Sequence, residues 1–266
     1  MANSKDFHKL KAFLDNRVSQ YNQLEFIDTD PIQIPHKFSL NEDIEIAGFF
    51  AATIAWGQRK SIIKNGYLLM KLMDNSPFDF IMNASEIDLK GFKHFVHRTF
   101  NGDDCIFFLE SLKNIYSNHN GLESVFNKGF DIENNISGAL KYFREVFISI
   151  PYQPRVKKHI SDVASNSAAK RLNMFLRWMV RKDNNGVDFG LWKNIPASSL
   201  MLPLDVHTGN VARSLGLLLR TQNDWKAVEE ITSVLRTFDA NDPIKYDYAL
   251  FGIGVFESKK KIENNL

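Results

Sequence analysis

Cysteine is nearly missing from this chain. Cys105 is the single one in 266 residues, which excludes an intramolecular disulfide framework, a cysteine-ligated zinc site and an iron–sulfur cluster. Glycine (14) and proline (8) are both scarce for the length, so little interrupts regular backbone. No apolar run approaches a membrane span. The longest, Ile46 to Trp56, covers eleven residues including Thr53, against about 20 for a spanning helix. It reads as a core helix, and no membrane is expected as a partner. The opening residues Met1 to Lys11 carry no apolar h-region, which argues against secretion and for the cytoplasm. Nor does one sign of charge dominate: 33 basic residues against 31 acidic leave a net +2. That sum neither demands nor excludes nucleic acid, because local patches do the binding. A P-loop, a dinucleotide fingerprint and a nucleophile elbow are missing too.

Phenylalanine, at 22 residues, is abundant. With 44% hydrophobic and 24% charged residues, the composition is globular. At roughly 100–200 residues per domain, the length predicts one large domain or two intimate ones. Apolar residues recur at helical spacing through most of the chain. Phe7, Leu10, Phe13, Leu14, Val18 and Tyr21 form one stripe. Further helices are expected over about 43–56, 61–73, 104–116 and 136–147. The prolines of Ile150-Pro151-Tyr152-Gln153-Pro154 then mark a connection. Beyond it, another helix carries Leu172, Phe175, Leu176, Met179 and Val180 on one side. Residues 186–203 read as a loop with a short helical turn near Trp192. Helices return over about 206–219, 225–238 and 244–254, and the polar tail from Ser258 is expected to fray. No convincing strand pattern is found, and Leu200-Met201-Leu202 reads as buried extended chain. The fold class is therefore all-α, a single unit of two helical lobes with a cleft between them. The approximate lobes are 1–60 with 205–266, and 61–204.

Two segments carry chemistry. In Leu202-Pro203-Leu204-Asp205-Val206-His207-Thr208, Asp205 follows a proline-stiffened turn and precedes an amphipathic run. It is placed as a helix N-cap, its carboxylate accepting from a backbone N–H two or three residues on. A helix start also favours the carboxylate form. An aspartate cap is common in structure without function, and spacing alone does not separate the two. The second segment, residues 155–173, gathers Arg155, Lys157, Lys158, His159, Lys170 and Arg171 against one acid, Asp162. Lys170 heads the apolar helix. Partial burial, an adjacent guanidinium and a helix start each favour a neutral, nucleophilic amine in general. The bland alternative is a surface lysine on a basic face. His207 and Asp205 stand at i, i+2, and His94, His97, His119 and His159 match no ligand motif, so no metal site is expected.

Pro-Leu-Asp-Val-His followed by Val-Ala-Arg-Ser-Leu-Gly (203–207 and 211–216) resembles the aspartate segment of the helix-hairpin-helix DNA glycosylase superfamily. The resemblance implies that Asp205 stabilises positive charge on the deoxyribose as the base departs and helps deprotonate the attacking group. The superfamily's Leu-Pro-Gly-Val-Gly hairpin with its lysine is absent here. Ala168-Ala169-Lys170-Arg171-Leu172-Asn173-Met174-Phe175-Leu176-Arg177-Trp178 is instead similar to the lysine helix of the archaeal 8-oxoguanine DNA glycosylase branch. That likeness implies Lys170, 35 residues before Asp205, as the nucleophile that forms a Schiff base with the sugar. The Lys-Arg-Leu-Asn-x-Phe-Leu-Arg-Trp run and overall layout also resemble an uncharacterised bacterial family. Glu45 to Gln58 is similar to an early glycosylase helix whose glutamine turn lines the base pocket. By that resemblance Trp56 stacks on a flipped base and Gln58 reads its edge; otherwise Gly57 simply stops a core helix. Asp242 to Gly254 resembles the closing helix, with Asp247 or Tyr248 as pocket residues or both as part of a capped core helix. Trp178 joins the pocket or the aromatic core.

The expectation from the resemblance is a DNA repair glycosylase, with or without AP lyase activity, that flips out and removes an oxidised or damaged base such as 8-oxoguanine. Its catalytic pair would be Lys170 and Asp205. Its base pocket would hold Trp56, Gln58, Trp178 and Asp247, and Arg155, Lys157, Lys158, Arg171 and Arg213 would hold DNA phosphates. DNA would be the partner, with no cofactor, metal or obligate protein partner. The alternatives are a non-catalytic nucleic-acid-binding relative and a helical interaction protein, for which a net +2 is natural.

Overall fold

The computed structural model describes residues 4–257; the tail expected to fray from Ser258 lies outside them. The fold is all-α. In chain order the helices are α1 (Ser4–Tyr21), α2 (Glu25–Thr29), α3 (Asn41–Thr53), α4 (Arg59–Leu72), α5 (Pro77–Asn83), α6 (Glu86–Lys90), α7 (Gly102–Asn118), α8 (Gly121–Glu133), α9 (Ile136–Phe147), α10 (Lys170–Val180), α11 (Val206–Ser214), α12 (Trp225–Phe238) and α13 (Tyr246–Phe256), with short 3-10 turns in the connections. A two-residue antiparallel hairpin, β1 (Val96–His97) and β2 (Phe100–Asn101), pairs Val96 with Asn101 and His97 with Phe100. No described helix is long and apolar enough to cross a membrane.

The chain divides into two compact units. The first comprises residues 1–26, 166–190 and 196–266, and the second 27–165 and 191–195. The borders of these units differ from the approximate lobes read from the sequence. Residues 27–60 join the second unit because α3 packs on α4 and α5. Residues 166–190 and 196–204 join the first.

The second unit is built on phenylalanine. Phe49, Phe50, Phe108, Phe143 and Phe147 are buried. Phe126 stacks on Phe143 at 4.4 Å and Phe108 meets Phe147 edge-on at 4.8 Å, geometries that rings prefer. Glycines let α8 and α9 approach closely: a Cβ on Gly129 would stand 2.8 Å from the Gly138 carbonyl oxygen. Within the first unit α13 packs against both α1 and α11.

Local chemistry starts and stops these helices. Asn101 and Asp104 form a capping box on α7, and Asp205 and Asp224 cap α11 and α12. α3 stops at Thr53, short of the expected 56, ahead of Gly57 at φ +102°. α11 stops at Ser214 rather than 219. Gly216 at φ +70° lets the Leu217 N–H reach the Ala212 carbonyl at 2.8 Å, a Schellman closure. The expected turn near Trp192 is not helical, and a 3-10 turn falls instead at Ala197–Ser199. Leu200, Met201 and Leu202 are buried extended chain.

Candidate active site in the first unit

Two helix starts build the site. Asp205 is the N-cap of α11, its Oδ1 accepting from the Thr208 N–H at 2.9 Å. Its other oxygen stays available, and Lys170 Nζ lies 3.9 Å from that Oδ2. Both side chains are about one-quarter exposed, at 26% each. Lys170 is the first residue of α10, entered through Ala169 in the left-handed region at φ +48°. The Lys170 amine also lies 3.7 Å from the Met174 sulfur, one turn along. A primary amine and a carboxylate at this separation form an ion pair when both are charged. When the amine is neutral they are a nucleophile beside a proton acceptor.

α10 is buried on all sides from Leu172 to Val180, not on one face as its apolar stripe suggested. Burying Leu172, Phe175, Leu176, Met179 and Val180 contributes roughly 1.5–3 kcal/mol each before the entropy cost. Its buried arginines are matched by carboxylates from other segments of the unit. Arg177 bonds Asp247 on α13 and, through Nε at 3.2 Å, Asp188. Arg181 reaches Asp188 at 2.9 Å, Asp183 at 2.8 Å and Asp242 at 3.0 Å. Both guanidinium groups also lie over the Tyr248 ring, at 4.4 and 5.5 Å. This network holds the direction of α10 and so the direction of Lys170.

Asp247 links the network to the pair. Burial pushes its carboxyl up to about 6, against the opposing pull of Arg177 and then Lys170; the Asp205 charge raises it further. Asp247 is thus buried yet electrostatically coupled to both Lys170 and Asp205. Trp178 is fully buried, and its indole N–H has no hydrogen-bond partner among the described residues. The Thr208 hydroxyl and the Asn173 Oδ1 are also buried without partners there. Arg171 is half-buried, and burial lowers its guanidinium to about 10. Arg213 is turned inward, donating to the Arg220 carbonyl at 2.8 Å and to Asn223 Oδ1 at 2.6 Å.

The remaining sequence candidates lie in the second unit. Trp56 is half-buried, edge-on to His97 at 5.1 Å and stacked with His159 at 6.2 Å. Asn65 donates to His97 Nδ1 at 2.8 Å, so Nε2–H donates to the Trp56 carbonyl at 3.1 Å. Burial lowers the His97 pKa and keeps that neutral tautomer. Gln58 is exposed at the start of α4. Arg155 is engaged internally, donating to Asn101 at 2.7 Å and pairing with buried Asp104 at 3.2 Å. Lys157 and Lys158 are exposed, Lys157 lying 5.2 Å over the Tyr152 ring. Among the described residues no group of three or more His, Cys, Asp or Glu side chains gathers to hold a metal ion.

Sequence reading therefore named the two residues that meet, Lys170 and Asp205, and also Asp247. It missed Arg177, Arg181 and Asp188. The available signal was two arginines four apart, Arg177 within the apolar part of α10 and Arg181 just past its end, with several aspartates downstream.

Comparison with known proteins adds a family. A family model described as "Protein of unknown function (DUF2400)" matches residues 30–256. No curated protein and no solved structure matches the chain.

Proposed function

Proceeding from a chain that belongs to the DUF2400 family, whose description assigns no activity, we propose that it is a DNA repair glycosylase with AP lyase activity, acting on an oxidised base such as 8-oxoguanine. The observation that carries the reading is the pair at two helix starts, Lys170 Nζ 3.9 Å from Asp205 Oδ2. The resemblance of the two surrounding segments to the glycosylases supplies the reaction class.

In this reading the neutral Lys170 amine attacks C1′ of the deoxyribose. The N–C1′ bond forms, the glycosidic bond breaks, and the base leaves with its electron pair and takes up a proton. Asp205 stabilises the positive charge that develops on the sugar and accepts the proton that the lysine nitrogen loses. Ring opening gives an iminium. Loss of a C2′ proton then expels the 3′-phosphate, and water hydrolyses the imine to return the amine. Within the second unit, Lys157 and Lys158 are exposed basic residues able to contact phosphates.

Borohydride trapping tests this. Incubated with a duplex carrying one 8-oxoguanine, the full chain should give a covalent protein–DNA adduct that Lys170→Ala abolishes. An adduct of undiminished yield in Lys170→Ala would remove Lys170 as nucleophile. A second reading, a DNA-binding relative without turnover, draws on the missing Leu-Pro-Gly-Val-Gly hairpin and its lysine. It predicts salt-dependent DNA binding with neither adduct nor base release.

A further inference from the structure

Lys170 and Asp205 arrive on separate stretches of chain, and one dipeptide touches both. Asn223 Nδ2–H donates to the Asp205 backbone carbonyl at 3.0 Å. Asn223 Oδ1 accepts from Arg213 at 2.6 Å, and Arg213 Nε donates to the Arg220 carbonyl at 2.8 Å. The next residue serves the other stretch. Asp224 accepts from the Asn166 side chain at 2.9 Å, and the backbones of Ser167 and Asp224 form an isolated antiparallel bridge. The Trp225 N–H donates to the Asn166 carbonyl at 3.1 Å. Asp224 is itself fixed, capping α12 through the Ala227 N–H at 3.1 Å and accepting from Arg220 Nε at 2.6 Å.

The stretch leading to Lys170 needs restraint from outside. Asn166 at φ +64° and Ala169 at φ +48° are both left-handed. An alanine pays for that conformation, by roughly 1–2 kcal/mol, and holds it only when surroundings impose it. Asn173 contributes from α10, its Nδ2–H donating to the Ala168 carbonyl at 3.1 Å.

We infer that Asn223 and Asp224 form a clasp that sets the distance between the Lys170 amine and the Asp205 carboxylate: Asn223 holds the aspartate stretch, Asp224 the lysine stretch. They are positioning residues, and the inference rests on the reading of Lys170 and Asp205 as a working pair. It names a specific cost for loosening the clasp. The pair loses its mutual influence while both groups and the Asp205 cap survive.

The test is a mutant cycle on the full chain labelled with 13Cε-lysine, the Lys170 signal being assigned with Lys170→Arg. The position of the Lys170 Hε–Cε cross-peak is compared by NMR in the parent, Asp205→Asn, Asn223→Asp and the double variant. Asn223→Asp keeps the acceptor for Arg213 and loses the donor to Asp205, so it is the conservative choice; Asn223→Ala repeats the cycle without added charge. In the parent, Asp205→Asn should displace that cross-peak, because it removes the charge 3.9 Å from the amine. In either Asn223 background the same substitution should move it less than about a third as far. Equal shifts in both backgrounds, or none in the parent, overturn the clasp. A parallel measurement of base release should show kcat down about tenfold in Asn223→Asp with KM unchanged. A parent that releases no base defeats the glycosylase reading alone, because the NMR cycle needs no DNA and still decides the clasp.

Discussion

Replacing Arg177 by methionine removes the central cation of the first unit at nearly constant volume. Asp247 then loses its guanidinium partner, and Asp188 keeps Arg181. The side chains of Asp188 and Asp247 are 0% and 7% exposed, so water replaces little of what is lost. Breaking a buried pair from one side costs about 3–5 kcal/mol, and that is the expected loss at pH 8. The loss should depend on pH in a stated direction. Asp247 already sits at about 6, pushed up by burial against the pull of Arg177. Without Arg177 it rises further. A carboxyl raised on folding holds a proton that the unfolded chain has released, so its stability contribution is present below the unfolded value and lost as pH rises through the folded one. The variant is therefore penalised least at pH 5, where Asp247 is protonated, and most at pH 8. Urea unfolding followed by circular dichroism at both pH values reads the gap. A variant within about 1 kcal/mol of the parent at pH 8, or a gap that does not change with pH, would refute the network as described.

Asp205 has two separable jobs. Asparagine caps a helix as well as aspartate, so Asp205→Asn should leave the melting temperature nearly unchanged and abolish base release, whereas Asp205→Ala should lose both activity and about 1 kcal/mol of stability in urea titrations. In the second unit Glu45 is buried, accepting from Tyr116 at 2.6 Å and Trp192 at 2.7 Å, and burial pushes it up to about 7. Its contribution is present below about 4.5 and lost as pH rises through about 7. The parent should lose about 1 kcal/mol between pH 6 and pH 8 from this group, a slope that Glu45→Gln removes.

Much of the fold was legible because its apolar periodicities are long. α1, α4, α7, α9, α10 and α12 all stand where recurring apolar residues placed them. α8 went unread although Leu122, Val125, Phe126 and Phe130 carry helical spacing. Gly129 within it lets α9 approach, a role visible only once the partner helix is known. At the site, the Asp205 cap followed from local rules: a proline turn, an aspartate and an amphipathic run. The approach of Lys170 to Asp205 did not follow from any local rule and came from resemblance alone. The restraints on that approach were invisible. Asn223 and Asp224 belong to a polar loop, and nothing in their sequence says that one bonds the backbone before α11 and the other the turn before α10. Likewise Arg177 and Arg181 read as ordinary polar positions until Asp188, Asp242 and Asp247 are brought to them by tertiary packing.

The most direct test of the proposed chemistry is base release from a panel of duplexes, each with one defined lesion, by the parent chain, Lys170→Ala and Asp205→Asn. The account predicts release from the 8-oxoguanine duplex by the parent and a loss of at least about a hundredfold in each variant. No release by the parent from any lesion, or parent-like release by either variant, would contradict it.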